Sequence, residues 1–145
     1  MMGQLYINDE SKFYENKDFN LLVNSLESSL SSDWEIYCHP YMNGIRPDIL
    51  LMNENKGVHV IDVGIKPHNP IDRLDAIKSD IASIYCPRAY EISKKAIFIS
   101  FADLSKPENE IKLNNVNRLD NFSIISKSDI NEDGTILFDR AIPLI

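Results

Sequence analysis

The stretch from residue 46 to residue 66 most constrains how this chain can fold. It reads RPDILLMNENKGVHVIDVGIK, in which two runs rich in Ile, Leu and Val flank polar residues and a glycine at 53–57. This pattern predicts a β-hairpin, with strands near 46–53 and 58–65. A hairpin pairs its two strands in one register, so it fixes which residues meet across the centre of the predicted sheet.

The predicted hairpin places two aspartates opposite each other. If the turn centres on Asn55, then Asp48 and Asp62 are equidistant from it and form a facing pair. Facing residues share one side of a sheet, with Cβ atoms about 5 Å apart, and two like charges so placed repel. Two interpretations stay open: a divalent cation binds between the carboxylates, or one carboxylate is solvated at the open end of an edge hairpin.

The rest of the chain predicts further helices and strands around the hairpin. Apolar residues at helical spacing predict a helix over 18–30 with Asp18 as N-cap, and Asn69-Pro70 starts a second helix that stops at Cys86-Pro87. Strands are predicted over Trp34–His39, Lys95–Phe101 and Phe122–Ser126. The resulting order is α-β-β-β-α-β, an α/β layer structure, followed by one more strand.

Length, charge and composition limit the classes of protein to consider. The 145 residues suit a single domain with a core over about 18–126. The net charge of −7 does not favour strong unaided binding to the negatively charged backbone of nucleic acid. No apolar run reaches the roughly 20 residues that cross a bilayer, and no secretory signal is evident, so a cytoplasmic protein without membrane association is expected. The apolar ending AIPLI suggests a fragment of a larger protein or a tail that docks on a partner.

Side chains for nucleophilic chemistry are not evident in the sequence. Cys38 and Cys86 both lie in apolar contexts and are predicted to be buried thiols rather than a disulfide. No serine or cysteine has a recognisable base nearby, and the histidines are scattered. His59 is predicted to lie on the strand face opposite to Asp62.

The order of elements and several short motifs together resemble a known superfamily. The Pro47-Asp48 pair, an acid fourteen residues later across a hairpin, and Asn69-Pro70 opening a helix are similar to the PD-(D/E)XK nucleases. RPDILLMNENKGVHVIDV followed by NPIDRLDAIKSDIASIYCP resembles the nuclease-related domains at the N-terminus of some superfamily 1 helicases. The resemblance covers about residues 18–101. It implies a restriction-endonuclease-like fold, with a mixed central sheet flanked by helices, and DNA as substrate.

The resemblance also implies roles for particular side chains. Asp48 and Asp62 would bind Mg²⁺ or Mn²⁺, with Glu27 on the first helix as a third ligand. The family's lysine position, two residues after the second acid, is occupied by Gly64, and the nearest lysine is Lys66. Lys66 is therefore the candidate catalytic cation.

One more departure from the family pattern concerns the second helix. Arg73 stands where relatives with the pattern Asn-Pro-x-x-Gln have glutamine. An arginine there would contact phosphate, or pair with Asp62 and replace the metal.

Two functions therefore remain open from sequence. The first is a Mg²⁺-dependent nuclease domain that hydrolyses DNA phosphodiester bonds, in which the metal polarises the phosphoryl group and activates water. The second is a nuclease-like fold that has lost cleavage and serves as a protein or nucleic-acid interaction module. Either form is expected to work with a helicase domain or another partner protein. The departures at Gly64 and Arg73 favour the second function, and the pair of retained aspartates favours the first.

Overall fold

A computed structural model describes residues 3–7, 17–40, 47–55, 57–64, 70–85, 87–111, 113 and 120–132 of the chain. The helices and strands within these ranges are β1 (Gln4–Ile7), α1 (Lys17–Ser29), β2 (Trp34–Cys38), β3 (Ile49–Asn53), β4 (Gly57–Val63), α2 (Pro70–Tyr85), α3 (Tyr90–Ala96), β5 (Phe98–Asp103) and β6 (Phe122–Ser126). Short 3-10 turns occupy Pro87–Ala89, Glu108–Glu110 and Lys127–Asp129.

In the described part of the chain, six strands form one mixed sheet whose spatial order is the order of the chain. β1 and β2 are parallel, β2, β3 and β4 are antiparallel, and β4, β5 and β6 are parallel. Parallel neighbours need a crossover, and helices lie in the connections from β1 to β2 and from β4 to β5. The predicted α/β class is confirmed. No helix in the described ranges is long and apolar enough to cross a membrane.

The hairpin forms in the predicted register. Ile49 pairs with Ile61 and Asn53 pairs with Gly57, so the pairing is symmetric about position 55. The Asn53 side-chain oxygen accepts a hydrogen bond from the Asn55 backbone N–H at 2.9 Å, which closes the turn locally. The strands are shorter than predicted at the open end: β3 begins at Ile49 and β4 ends at Val63.

The sheet carries a separate apolar layer on each face. Strand residues alternate between the layers, since Ile61 and Val63 of β4 pack with α1 whereas Val60 packs with α2. The helical contribution to the α1 layer is Phe19, Leu22, Val23 and Leu26, and that to the α2 layer is Leu74, Ile77, Ile81 and Ala82. Successive residues of the hairpin therefore face different helices.

Several element boundaries differ from the sequence prediction. Asp18 lies in the first turn of α1, which starts at Lys17, and is not its N-cap. Lys95 and Ala96 belong to α3, so β5 starts only at Phe98. Lys94 of this helix forms an ion pair with Asp75 of α2 at 3.4 Å, so α3 lies against α2. β1 was not predicted.

Lys78 of α2 is almost fully buried in the α2 layer. Its exposed fraction is 2%, and its Nζ donates a hydrogen bond to the backbone carbonyl of Asp120 at 2.9 Å. Burial lowers the pKa of the amine from its ordinary value of 10.5, and Lys94 lowers it further, whereas Asp120 and Asp75 act in the opposite direction. Lys78 links α2 to the turn that precedes β6.

We expect Lys78 to make stability depend on pH in the alkaline range. The folded-state pKa lies below 10.5, so between the two values the unfolded chain binds more protons, and the free energy of unfolding rises with pH. Urea unfolding from about pH 7 to 10.5 should show the free energy of unfolding of the wild type rising relative to that of Lys78→Met, because the titration of groups that both proteins share, Cys38 among them, cancels in the difference. Lys95→Met, which removes an exposed lysine from α3, should behave as the wild type. Parallel curves for the wild type and Lys78→Met would contradict the assignment.

Candidate functional site

Asp48 and Asp62 lie at the open end of the hairpin. Asp48 directly precedes Ile49, and Asp62 directly follows Ile61, the residues of the last ladder pair. The side-chain Oδ2 of Asp48 accepts a hydrogen bond from the Val63 backbone N–H at 2.8 Å, which ties this carboxylate to the end of β4. Both aspartates are buried, with exposed fractions of 6% for Asp48 and 0% for Asp62.

The Asp62 carboxylate is paired with an arginine from α2. Arg73 Nε donates a hydrogen bond to Asp62 Oδ1 at 3.1 Å, and the Arg73 side chain is 24% exposed. Asp62 alternates with Ile61 and Val63 of the α1 layer, so it belongs to the α2 face, which agrees with this partner. A buried carboxylate is costly unless it is paired and hydrogen-bonded. The guanidinium supplies a positive charge within the protein.

The His39 side chain, which lies near Asp48, packs against the α1 layer. His39 Nε2 lies 3.8 Å from Asp48 Oδ1, which is beyond hydrogen-bond length, while the His39 backbone N–H donates to the Asp48 carbonyl at 2.8 Å. The His39 ring stacks on Phe19 of α1, with centroids 4.7 Å apart, and its φ is 51°. The two aspartates are therefore adjacent in register but take side-chain partners from opposite faces of the sheet.

The other residues implied by the family pattern do not complete this pair in the described structure. Glu27 is half-buried on α1, and its backbone carbonyl accepts a hydrogen bond from Gly3 N at 3.1 Å, beside the start of β1. Lys66 lies outside the described residues. The strand predicted to run to about position 65 ends at Val63.

Gly64, which directly follows the last residue of β4, has a backbone conformation that favours glycine. Its φ is +78°, in the left-handed region, and its N–H donates to the Ala102 carbonyl at 2.8 Å. A Cβ placed at Gly64 would meet nothing within 4 Å. A lysine at this position would therefore be strained by the backbone conformation and not by lack of space.

A divalent metal does not fit these residues as they are arranged. Within the ranges that the structure describes, no group of three or more His, Cys, Asp or Glu side chains is placed to hold a metal ion. Hard divalent cations take six or more oxygen ligands, largely from carboxylates, carbonyls and water. Here one carboxylate oxygen of Asp62 binds Arg73, and one of Asp48 binds the Val63 N–H.

A row of polar side chains, buried on β4 and β5 and partly exposed on β6, crosses these three strands, and the sequence did not reveal it. His59 Nε2 and Ser100 Oγ are 2.7 Å apart, and Ser100 Oγ is 2.6 Å from Ser123 Oγ. The expectation that no serine has a base nearby was therefore wrong for Ser100. Both His59 and Ser100 have exposed fractions of 0%, so a substrate has no access to this hydroxyl, and the row is structural. The sequence feature that could have indicated this row is the serine within the otherwise apolar run 98–101.

Cys38 is a free, buried thiol, as predicted. Burial, and secondarily the charge of Glu27, raises the pKa of this thiol from 9.0 to about 12. The thiolate is the nucleophilic form, so Cys38 is not a candidate for catalysis. Cys86 lies outside the described residues.

Comparisons of the chain with known protein families, with curated proteins and with solved structures gave no significant match. The similarity to PD-(D/E)XK nucleases therefore rests on the short motifs of residues 46–87 and on the order of elements.

Proposed function

We propose that this chain is a restriction-endonuclease-like domain that has lost metal-dependent hydrolysis and acts as an interaction module. The ion pair between Arg73 and Asp62 carries this proposal. It engages the carboxylate that the family pattern assigns to the metal, at an N–O distance of 3.1 Å. Gly64 at the lysine position removes a second catalytic element.

The order of elements supports the fold part of this proposal. From α1 to β5 the chain runs α-β-β-β-α, then the short α3, then β, which agrees with the α-β-β-β-α-β order of that fold. The hairpin register and the start of α2 at Pro70 also agree with the motif positions.

The partner of such a module is proposed to be a protein, such as a helicase domain, in the cytoplasm. A net charge of −7 disfavours the phosphate contacts that dominate unaided binding to DNA or RNA. A module of this kind would bind and position a partner that processes nucleic acids, and would not itself cleave them.

Metal-dependent cleavage of DNA is the second candidate function. It is favoured by one observation, the register that brings Asp48 and Asp62 to the same end of the hairpin. In this alternative Lys66 would stabilise charge on the phosphate, and Mg²⁺ or Mn²⁺ would activate water.

Calorimetric titration with Mn²⁺ separates the two functions. We expect no measurable binding heat for the wild-type chain, because Arg73 already neutralises Asp62, and no Mn²⁺-dependent cleavage of single- or double-stranded DNA. Asp62→Asn is the site variant, and Glu54→Gln, which changes an exposed residue at the hairpin turn, is its matched control. Metal binding and cleavage that are present in the wild type and in Glu54→Gln, but lost in Asp62→Asn, would overturn the proposal in favour of the nuclease.

A further inference from the structure

We infer that the part of the α2 face of the sheet over β1, β2 and β3 binds a protein segment in which an arginine stands beside an apolar side chain. The inference rests on the proposed function and deepens it, because it gives the interaction module a surface and its partner a chemistry. This surface, called the tyrosine surface below, consists of Gln4, Tyr6, Glu35, Tyr37 and Met52.

The register of the strands brings these five side chains together on one face of the sheet. Tyr6 pairs with Tyr37 in one row, and Gln4, Glu35 and Met52 pair in the adjacent row. Alternate residues of β1 and β2 belong to the α1 layer, whereas Tyr37 packs against the α2 layer. The tyrosine surface therefore lies on the same face as α2.

The tyrosine surface extends beyond the area that α2 covers. The apolar residues of α2 pack with buried residues of β3, β4 and β5, and Tyr37 is half-buried at the border of this layer. The exposed fraction of Tyr6 is 44%, and Met52 is also exposed. Within the described ranges, four large apolar or aromatic side chains are exposed, and these two share one surface. Neighbouring exposed apolar side chains of this kind mark interaction sites.

Tyr6 is held in place although it is exposed. Its ring stacks on Tyr37, with centroids 4.9 Å apart and planes inclined by 16°. Its hydroxyl donates a hydrogen bond to Gln4 Oε1 at 2.9 Å, and Gln4 Nε2 donates to the Ser32 carbonyl at 3.0 Å. A fixed aromatic side chain loses little conformational entropy when a partner binds, so Tyr6 suits the role of an anchor.

Glu35 gives the tyrosine surface a negative charge. It is the one charged residue among those of β1, β2 and β3. The pKa of Tyr37 is raised from its ordinary value of 10.0 by burial, then by the charge of Glu35 and by a hydrogen bond with that carboxylate. A guanidinium can pair with such a carboxylate and stack on a tyrosine ring, and Met52 offers contact to an apolar neighbour.

The same charge disfavours two other occupants. A second copy of this chain, bound through a two-fold axis, would bring two Glu35 carboxylates towards each other. A nucleic-acid base could stack on Tyr6, but Glu35 and the net charge of −7 oppose the accompanying phosphates. A basic protein segment satisfies both the aromatic rings and the carboxylate.

Selection of random peptides on the immobilised full chain tests the inference. The probe is a library of peptides of about 12 residues displayed on phage. We expect enriched peptides to have a net positive charge, with arginine next to leucine, methionine or an aromatic residue. Synthetic copies should bind the wild type with a Kd of about 10–100 µM, as measured by fluorescence anisotropy.

Variants locate the binding on the tyrosine surface. Tyr6→Ser and Glu35→Gln should each weaken binding about tenfold. Leu21→Ser is the matched control, because it removes a side chain that is 43% exposed from α1, and it should bind as the wild type does. Circular dichroism verifies folding, and if Tyr6→Ser does not fold, Glu35→Gln and Met52→Ser decide the result.

Salt dependence separates the charge of Glu35 from a merely structural role. Raising NaCl from about 50 to about 500 mM should weaken binding to the wild type about threefold to tenfold, and binding to Glu35→Gln clearly less. Equal salt dependence of the two proteins would contradict the assigned role of Glu35.

Several results would overturn the inference. One is a selection without enrichment, or one that yields acidic peptides or peptides that bind Tyr6→Ser and Glu35→Gln as tightly as the wild type. Another is a wild-type dimer in sedimentation that Tyr6→Ser does not form, since a second copy would then occupy the surface. A third is binding of oligothymidine that Tyr6→Ser loses. None of these measurements involves Mn²⁺, whereas the proposed function fails through Mn²⁺-dependent cleavage, so the two failures are distinguishable.

Discussion

Replacing Arg73 by glutamine in the absence of metal is expected to lower the free energy of unfolding by about 2–4 kcal/mol. The reason is the pairing geometry: Asp62 is fully buried, and its Oδ1 lies 3.1 Å from Arg73 Nε. The value is set at the lower end of the range for buried pairs because the Arg73 side chain is 24% exposed. Urea unfolding measures the loss.

A double-mutant cycle with Asp62→Asn isolates the interaction from other effects of the substitutions. We expect a coupling energy of about 1.5–3 kcal/mol, since the double variant removes both charges of the pair together. The Lys94–Asp75 pair, with both side chains partly exposed, provides the reference cycle and should couple by less than about 1 kcal/mol. Equal coupling energies in the two cycles would show that the Arg73–Asp62 pair contributes no more to stability than a partly exposed ion pair.

Ser100→Ala is expected to cost about 2–3 kcal/mol of stability. Ser100 is fully buried and is hydrogen-bonded to both His59 and Ser123, at 2.7 and 2.6 Å, so its removal takes a partner from two groups at once. Ser123→Ala removes the outer, partly exposed member of the row and should cost only about 0.5–1 kcal/mol.

Urea unfolding of both serine variants at one pH checks this order. Equal losses for Ser100→Ala and Ser123→Ala would mean that the contact between Ser100 and His59 contributes little, and the row would then not stabilise the sheet as inferred.

The elements with the strongest local patterns were predicted closely. The helix expected over 18–30 spans Lys17–Ser29, and the helix expected to begin at Asn69-Pro70 starts at Pro70. The hairpin register is also as predicted, because the turn residues and the alternation of strand residues are both local properties. Asn69 itself lies outside the described residues.

The less accurate predictions concern segments whose structure depends on contacts distant in sequence. β1 has only four residues, Gln4–Ile7, partly exposed, and it forms by parallel pairing with β2 rather than by its own pattern. Lys95 and Ala96 extend a helix that packs on α2, although their sequence continues directly into an apolar strand.

The candidate site was only partly predictable for the same reason. Local spacing placed Asp48 and Asp62 at one end of a hairpin, and the sequence position of Arg73 left two roles open, a phosphate contact or a bond to Asp62. His39 was set aside as a scattered histidine, yet it lies beside Asp48 and stacks on Phe19. These contacts join elements far apart in the chain, so no local pattern reports them.

The sequence by itself determined the α/β class, the hairpin register and the meeting of two acidic residues at one end of the hairpin, because turn chemistry and apolar periodicity act over a few residues. Only the tertiary structure decided what neutralises those acids. The packing of α2 on the sheet brings Arg73 to Asp62, and the packing of α1 brings Phe19 against the ring of His39, which follows β2 and lies beside Asp48. Burial then makes the choice of partner energetically important, since a carboxylate removed from water needs a positive charge or hydrogen-bond donors beside it.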